Sequence, residues 1–267
     1  GHGALVVGLS HLAPDGRDDE CRSRLSGRGR GPHPFFGFAA GHLNRDRVVV
    51  AVDDKRAGCG GAAAERDSVH VMRADVRNAR RNMLQIGNGP YWQGKGLQRI
   101  SKVMDVAEQQ GDADAAARLQ SLLKGRIEQW FSGKDRNTYF HLDKTLGTVL
   151  AYPEEYFAVE QMNDHHFHYG YWIRTMADLA LRDPEWTSNT QWGAMTELLI
   201  KDIATAERGR ADFPFLRTFD IYEGHSWASG NGIGEWGNNQ ESSSEAINAW
   251  SALILWAEIR GDKALRD

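Results

Sequence analysis

Two short blocks gather the residues of this sequence best suited to moving protons. The first runs from Asn163 to Tyr171 (Asn-Asp-His-His-Phe-His-Tyr-Gly-Tyr) and packs one acid, three histidines and three aromatic rings into nine residues. The second runs from Asn239 to Ala246 (Asn-Gln-Glu-Ser-Ser-Ser-Glu-Ala) and holds two carboxylates, Glu241 and Glu245, where a loop becomes a helix. A carboxyl set among rings, as Asp164 is, has its pKa raised by partial burial, which a general acid working near neutrality requires. Asp is also a favoured helix N-cap, so capping is the competing use of Asp164. Glu241 and Glu245 have two readings as well. If both are helical, their spacing puts two like charges on one face, which is avoided unless it is used. Alternatively Ser242-x-x-Glu245 is a capping box, and Glu241 then stands just outside the helix, facing a cleft.

His165, His166 and His168 invite a metal reading. In an extended segment, however, successive side chains alternate sides, so at most two rings converge, and no Cys or carboxylate set completes a zinc site. Hydrogen bonding to Asp164 and to a hydroxylated ligand is the expected use. A further cluster, Asp220, Tyr222, His225 and Trp227, lies in a loop where Gly224 and Gly230 permit sharp turns. Together with Tyr169 and Asn239, these aromatic and polar groups suit sugar rings, whose C–H faces stack on aromatic planes while their hydroxyls need polar partners. Carboxylates from separated segments with aromatics between them are what glycoside hydrolysis requires: one acid for the leaving oxygen, one base for water. Trp250 and Trp256, at helical positions, read as packing residues.

The elements that must position these groups are mostly helices. Leu97, Ile100, Val103, Met104 and Ala107 recur every three or four residues, which predicts an amphipathic helix ending near Gly111-Asp112. Leu119, Leu122, Leu123, Ile127 and Trp130 predict a second, antiparallel to it. Thr138 to Leu150 reads as a small hairpin around Gly147. Helices follow over Tyr171 to Leu181, Thr190 to Ala206 and Ser242 to Arg260, and a Gly- and aromatic-rich loop spans Phe213 to Gly237. Helix pairs separated by long loops that carry the polar residues point to an α-helical toroid with its active face built from loops.

Residues 1–89 differ in kind. They hold 14 Lys and Arg against 10 Asp and Glu, 14 of the 29 glycines and none of the nine tryptophans. Val48 to Val52 reads as one strand and Val69 to Val71 as a fragment of another. The segment is either a partial domain of short strands or sequence that is not native coding, and no function is assigned to it. Cys21 and Cys59 both fall there, and two cysteines alone do not establish a disulfide. From residue 90 the balance is acidic, 18 basic against 26 acidic residues, which excludes nucleic-acid binding on charge grounds. No apolar run approaches the ~20 residues needed to span a bilayer, and no secretory signal is visible.

At these residues the chain resembles glycoside hydrolase family 81, the endo-β-1,3-glucanases. The resemblance rests on the block 163–171, on Gly-His-Ser-Trp-Ala-Ser-Gly (224–230) and on the block 239–246. The opening Tyr91-Trp92-Gln93-Gly94-Lys95 is similar to the start of the family's helical domain. The likeness covers about residues 90–267 and implies a mainly α fold, part of an (α/α)6 barrel. It implies an inverting endo-hydrolase acting on β-1,3-glucan, without metal or other cofactor, monomeric, binding neither nucleic acid nor membrane, and extracellular or attached to the cell wall. Asp164 corresponds to the general acid, Glu241 to the general base, and Glu245 to an assisting carboxylate. Asp220, His165 and His225 correspond to substrate contacts, with His168, Tyr169, Tyr222, Trp227 and Asn239 expected beside them. Residues 1–89 do not resemble the family's N-terminal β-sandwich, and five or six helices are legible where a closed toroid has twelve. The sequence therefore reads as a fragment, and a glucan-binding chain without activity is the alternative function.

Overall fold

The structure, a computed structural model, describes residues 72–81, 84–85, 87–205, 207–229, 235 and 237–267, and of the earlier residues two short strands. The chain divides into two compact units, Gly1–Ser68 and Val69–Asp267. In the first, β1 (Ala4–Val6) pairs antiparallel with β2 (Ala39–Gly41). The expected strands at Val48 to Val52 and Val69 to Val71, the two cysteines and the turn at Gly230 lie outside the described residues.

The second unit is mainly α and begins at Val69, some twenty residues ahead of the change in composition at 90. Residues 72–81 are helical and bury Met72 and Ala79 in the main core. Helix α1 (Pro90–Gln109) starts on a proline, whose missing N–H costs nothing at a helix N-terminus. Three further backbone donors of that terminus, on Gly89, Tyr91 and Trp92, are taken by the carboxylate of Glu155 from a distant loop. Helix α2 (Ala113–Phe131) begins on Asp112, whose side chain accepts from Ala115 N. The turn between them passes through Gly111 in the left-handed region, and the two apolar stripes meet as their spacing predicts: Leu97, Ile100 and Met104 share one core with Leu119, Leu123 and Ile127.

The hairpin follows as β3 (Tyr139–Asp143) and β4 (Thr148–Tyr152), antiparallel, with Asp143 opposite Thr148 across the turn that holds Gly147. Helix α3 (His165–Ala180) is the centre of the unit. It packs against α1, α4 (Gly193–Ala204) and α5 (Ser243–Arg260), and 14 of its 16 residues are buried. Two glycines permit that crowding: a Cβ on Gly170 would strike the backbone of Ala249 in α5, and one on Gly94 in α1 would strike Tyr171 and Trp172. A single turn, α6 (Lys263–Arg266), closes the described chain. Helices α1, α3 and α5 thus lie side by side, with α2 against α1 and α4 against α3, the alternation from which an α/α toroid is built. A short β pair, β5 (Phe219–Asp220) with β6 (His225–Ser226), shapes the long loop ahead of α5.

One local expectation changes. The histidine block is not extended, because α3 begins at His165 instead of at Tyr171. The sequence lacks an apolar stripe here because the helix is covered on nearly every side, and a helix buried all round shows no amphipathic period.

Candidate active site

Asp164 occupies the N-cap position of α3 but does not cap it: its side chain makes no bond to the helix N-terminus. Its backbone is left-handed, at φ 58° and ψ 9°. The side chain is 6% exposed, with Oδ1 buried and unpartnered and Oδ2 accepting from Asn163 Nδ2 at 3.2 Å. Burial, and then the charges of Glu241 and Glu245, push its pKa up to about 7, against the opposing charge of His165. Near neutrality Asp164 is therefore a carboxyl with a proton to give.

Glu241 lies outside helix α5, exposed, with φ 52°. A left-handed backbone on a non-glycine residue costs about 1–3 kcal/mol and gathers at functional sites. Both Asp164 and Glu241 carry that strain, along with Tyr156, Phe157 and Met162 in the loop leading to Asp164. Ser242 is the N-cap of α5, its hydroxyl accepting from Glu245 N at 3.4 Å, so the two acids do not share a helical face. The capping box is only half made. Instead of returning to the cap, Glu245 Oε1 accepts from Tyr171 OH at 2.5 Å and Tyr91 OH at 2.9 Å, with Lys95 Nζ at 3.4 Å. Burial raises the pKa of Glu245, but the hydroxyls of Tyr171, Tyr91 and Ser242 and the charge of Lys95 outweigh it and hold the carboxyl below its usual range.

Backbone hydrogen bonds tie the three motif blocks together through one residue. Ala228 O accepts from Asp164 N, and Ala228 N donates to Asn239 O, both at 2.8 Å. Below them Phe167, Ala228 and Ala246 form an apolar floor packed against Trp250, whose Nε1 donates to Ser226 Oγ at 2.9 Å. Trp250 and the buried Trp256 are packing residues, as their helical positions imply.

The other expected contacts divide. His165 is fully buried: Nδ1 lies 2.6 Å from Asp202 Oδ2 and Nε2 lies 2.9 Å from Ala158 O. Both ring nitrogens are engaged, and neither is left for a sugar hydroxyl. Tyr169 is buried too, its hydroxyl donating to Val149 O at 2.6 Å. These two residues belong to the frame. His168 is buried under Tyr91, with Nδ1 unpartnered, and burial pushes its pKa down to about 3. His166 is likewise held neutral, at about 3, and lies parallel to the Trp250 ring. Among the described residues no group of three or more His, Cys, Asp or Glu could hold a metal ion. Asp220 braces its own hairpin, accepting from Trp227 Nε1 at 3.0 Å and from the backbone of Tyr222 and Glu223, bonds that hold its carboxyl below the usual range. His225 packs edge-on against Trp227, Tyr222 is almost wholly exposed, and the exposed Asn239 takes part through its backbone carbonyl.

Three groups went unassigned in the sequence: Tyr91, Lys95 and Tyr171. Tyr91 and Lys95 stand four apart at the start of α1, a helical pairing that the sequence displays, but their partner Glu245 is about 150 residues away. Asp202 shows one signal in the sequence, a lone acid between Ile200 and Ile203 on an apolar helix face.

The family model described as "Glycosyl hydrolase family 81 C-terminal domain" matches residues 62–267. A "Glucan endo-1,3-beta-D-glucosidase" of Acetivibrio thermocellus is 54% identical over 179 residues, covering 66% of this chain and 23% of the relative. A protein of the same description from Thermobifida fusca is 37% identical over 179 residues, covering 66% and 24%. A solved mutant of the glycoside hydrolase family 81 protein CtLam81A from Clostridium thermocellum superposes with TM-score 0.71 at 46% identity, covering 76% of this chain and 28% of that one. The chain spans about a quarter of the length of these curated relatives. With three motif blocks joined through Ala228 and a family model that matches most of the chain, the chain belongs to glycoside hydrolase family 81.

Proposed function

We propose that this chain carries the acid–base centre of an endo-hydrolase of β-1,3-glucan, such as laminarin, curdlan or fungal wall glucan. Asp164 protonates the glycosidic oxygen and Glu241 takes the proton of the attacking water, so the anomeric centre inverts. The observation that carries this reading is the buried Asp164 carboxyl, which keeps its proton near neutrality. It is linked by way of Ala228 to the segment bearing Glu241. The relatives' printed activity supports the substrate class. A relative described as a primary septum glucan endo-1,3-beta-D-glucosidase, from Schizosaccharomyces pombe, supports an extracellular or cell-wall location. The helical unit Val69–Asp267 acts as the catalytic unit, as a monomer, and no helix among the described residues is long and apolar enough to cross a membrane.

The test is laminarin hydrolysis followed by proton NMR of the fresh product. The α-anomer is expected first. An initial β-anomer contradicts inversion, and curdlan binding without release of reducing sugar favours the inactive glucan-binding alternative.

The pH dependence follows from the same carboxyl. A general acid works only while protonated, so activity is retained below the pKa of Asp164 and falls as pH rises through it. With that pKa at about 7, kcat/KM is expected to lose a factor of ten per pH unit above neutrality. A profile flat to pH 9 removes Asp164 as the acid.

A further inference from the structure

The polar cluster around Glu245 aims its donors at a single carboxylate oxygen. Three groups converge on the single oxygen Oε1: the hydroxyls of Tyr171 and Tyr91, and Lys95 Nζ. Lys95 also donates to Tyr91 OH at 2.8 Å, which ties the ammonium, the phenol and the carboxylate into one chain. The ammonium also lies among aromatic rings, 4.7 Å from the ring centre of Tyr91, 5.5 Å from that of Trp92 and 5.6 Å from that of Tyr171. Protonation at Oε1 would cost one of these bonds, and at either oxygen it is opposed by the cation beside the carboxylate and by donors that bind the anion better than the acid.

We propose that Lys95 is a positioning residue: with Tyr91 and Tyr171 it fixes Glu245 as a standing carboxylate anion, so that Glu245 supplies charge to the site and does not itself take the proton of water. This rests on the glucanase reading above. The groups that face Glu245 are Tyr91 and Lys95 from α1, Asp164, His166 and Tyr171 from the start of α3, and Ser242 at its own helix cap. His166 is neutral, so Lys95 is the one cation among them. The charge so fixed adds to that of Glu241 in keeping the proton on Asp164. The arrangement divides the labour between the two glutamates: the strained, exposed Glu241 exchanges protons, and the clamped Glu245 does not.

The experiment is a carbon-13 NMR titration of glutamate carboxyls in the whole chain, with Glu245 assigned by the resonance that Glu245→Gln removes. In Lys95→Met, which keeps the stem and loses the charge, the midpoint of that resonance is expected to rise by about one pH unit. Lys95→Arg, which keeps the charge, should titrate near the unmodified chain. Laminarin hydrolysis in Lys95→Met should lose kcat more than KM changes, and lose it most at the acid end, where the released Glu245 becomes protonated. An unmoved midpoint in Lys95→Met, or an equal rise in Lys95→Arg, overturns the proposal; a merely structural Lys95 would lower activity evenly at all pH. The titration needs no turnover, so an unmodified chain that fails to hydrolyse laminarin sinks the glucanase reading while the NMR midpoint still decides the role of Lys95.

Discussion

Glu241→Gln is expected to lower laminarin hydrolysis by about 10²–10⁴-fold, the range a positioned acid or base contributes, while glucan binding persists. The substitution is nearly isosteric. Glu241 is exposed and precedes the helix, and the cap of α5 is made by Ser242, so no buried partner is left unpaired. The fold should accordingly change by no more than ~0.5 kcal/mol, as for surface sites. A second consequence separates this loss from nonspecific damage. Glu241 is the largest charge raising the pKa of Asp164, so whatever hydrolysis remains should show its alkaline limb at lower pH than the unmodified chain. Single-turnover rates with laminarin, beside a curdlan pull-down, measure both effects. Activity equal to the unmodified chain removes Glu241 as the base, and loss of binding together with activity points to a role in holding substrate.

The helices that could be read from sequence are those with one wet face. In α1 and α2 the apolar positions return every three or four residues because only one side of each helix meets the core, and the predicted stripes are buried except at Val103 and Leu122, which pack half-buried against the same core. The first turns of α3 could not be read that way. Each of its sides touches something different: His165 and Tyr169, four apart, face Asp202 and the hairpin; His168 and Tyr171, three apart, face Tyr91; His166 and Phe167 face the floor under Trp250. A dense cluster of polar and aromatic residues was legible there, but its direction was not. His165 and Tyr169, expected at the substrate beside the other contacts, are turned inward by helical spacing. Asp164 was legible for the opposite reason, since local density of rings and acids marks a perturbed carboxyl whichever way the chain runs. The Glu245 clamp is legible only in space, because its donors come from two other helices.

The largest stability effect is expected far from the cleft surface, at Asp202→Ala. Asp202 is fully buried in α4 and gathers five donors: His165 Nδ1 at 2.6 Å, Arg217 Nη2 at 2.9 Å, Thr148 Oγ1 at 2.9 Å, Val149 N at 2.8 Å and, at its backbone carbonyl, Arg217 Nε at 2.8 Å. Burial would raise its pKa, but the charges and bonds of His165 and Arg217 outweigh that and hold it below the usual range. Removing one partner of a buried ion pair leaves the other charge uncompensated, a loss of about 3–5 kcal/mol. For a unit near 200 residues each kcal/mol moves Tm by about 2–4 °C, so a fall of roughly 10 °C is expected. Asp202→Asn, which still accepts from Val149 N and Thr148 but carries no charge, should lose less. The sign of the pH dependence is fixed by the depressed pKa. The stabilisation is complete above the ordinary carboxylate range and is lost as pH falls through the lower folded value, so the acid side of the Tm profile should flatten in Asp202→Ala. Calorimetry or circular dichroism between pH 3 and 8 measures both. A loss below ~1 kcal/mol with an unchanged acid profile would mean that the network is not what holds α4 to the hairpin. Since His165 follows Asp164 directly, the same buried anion sets where the proposed general acid stands, and its removal should disorder the site before it unfolds the helices around it.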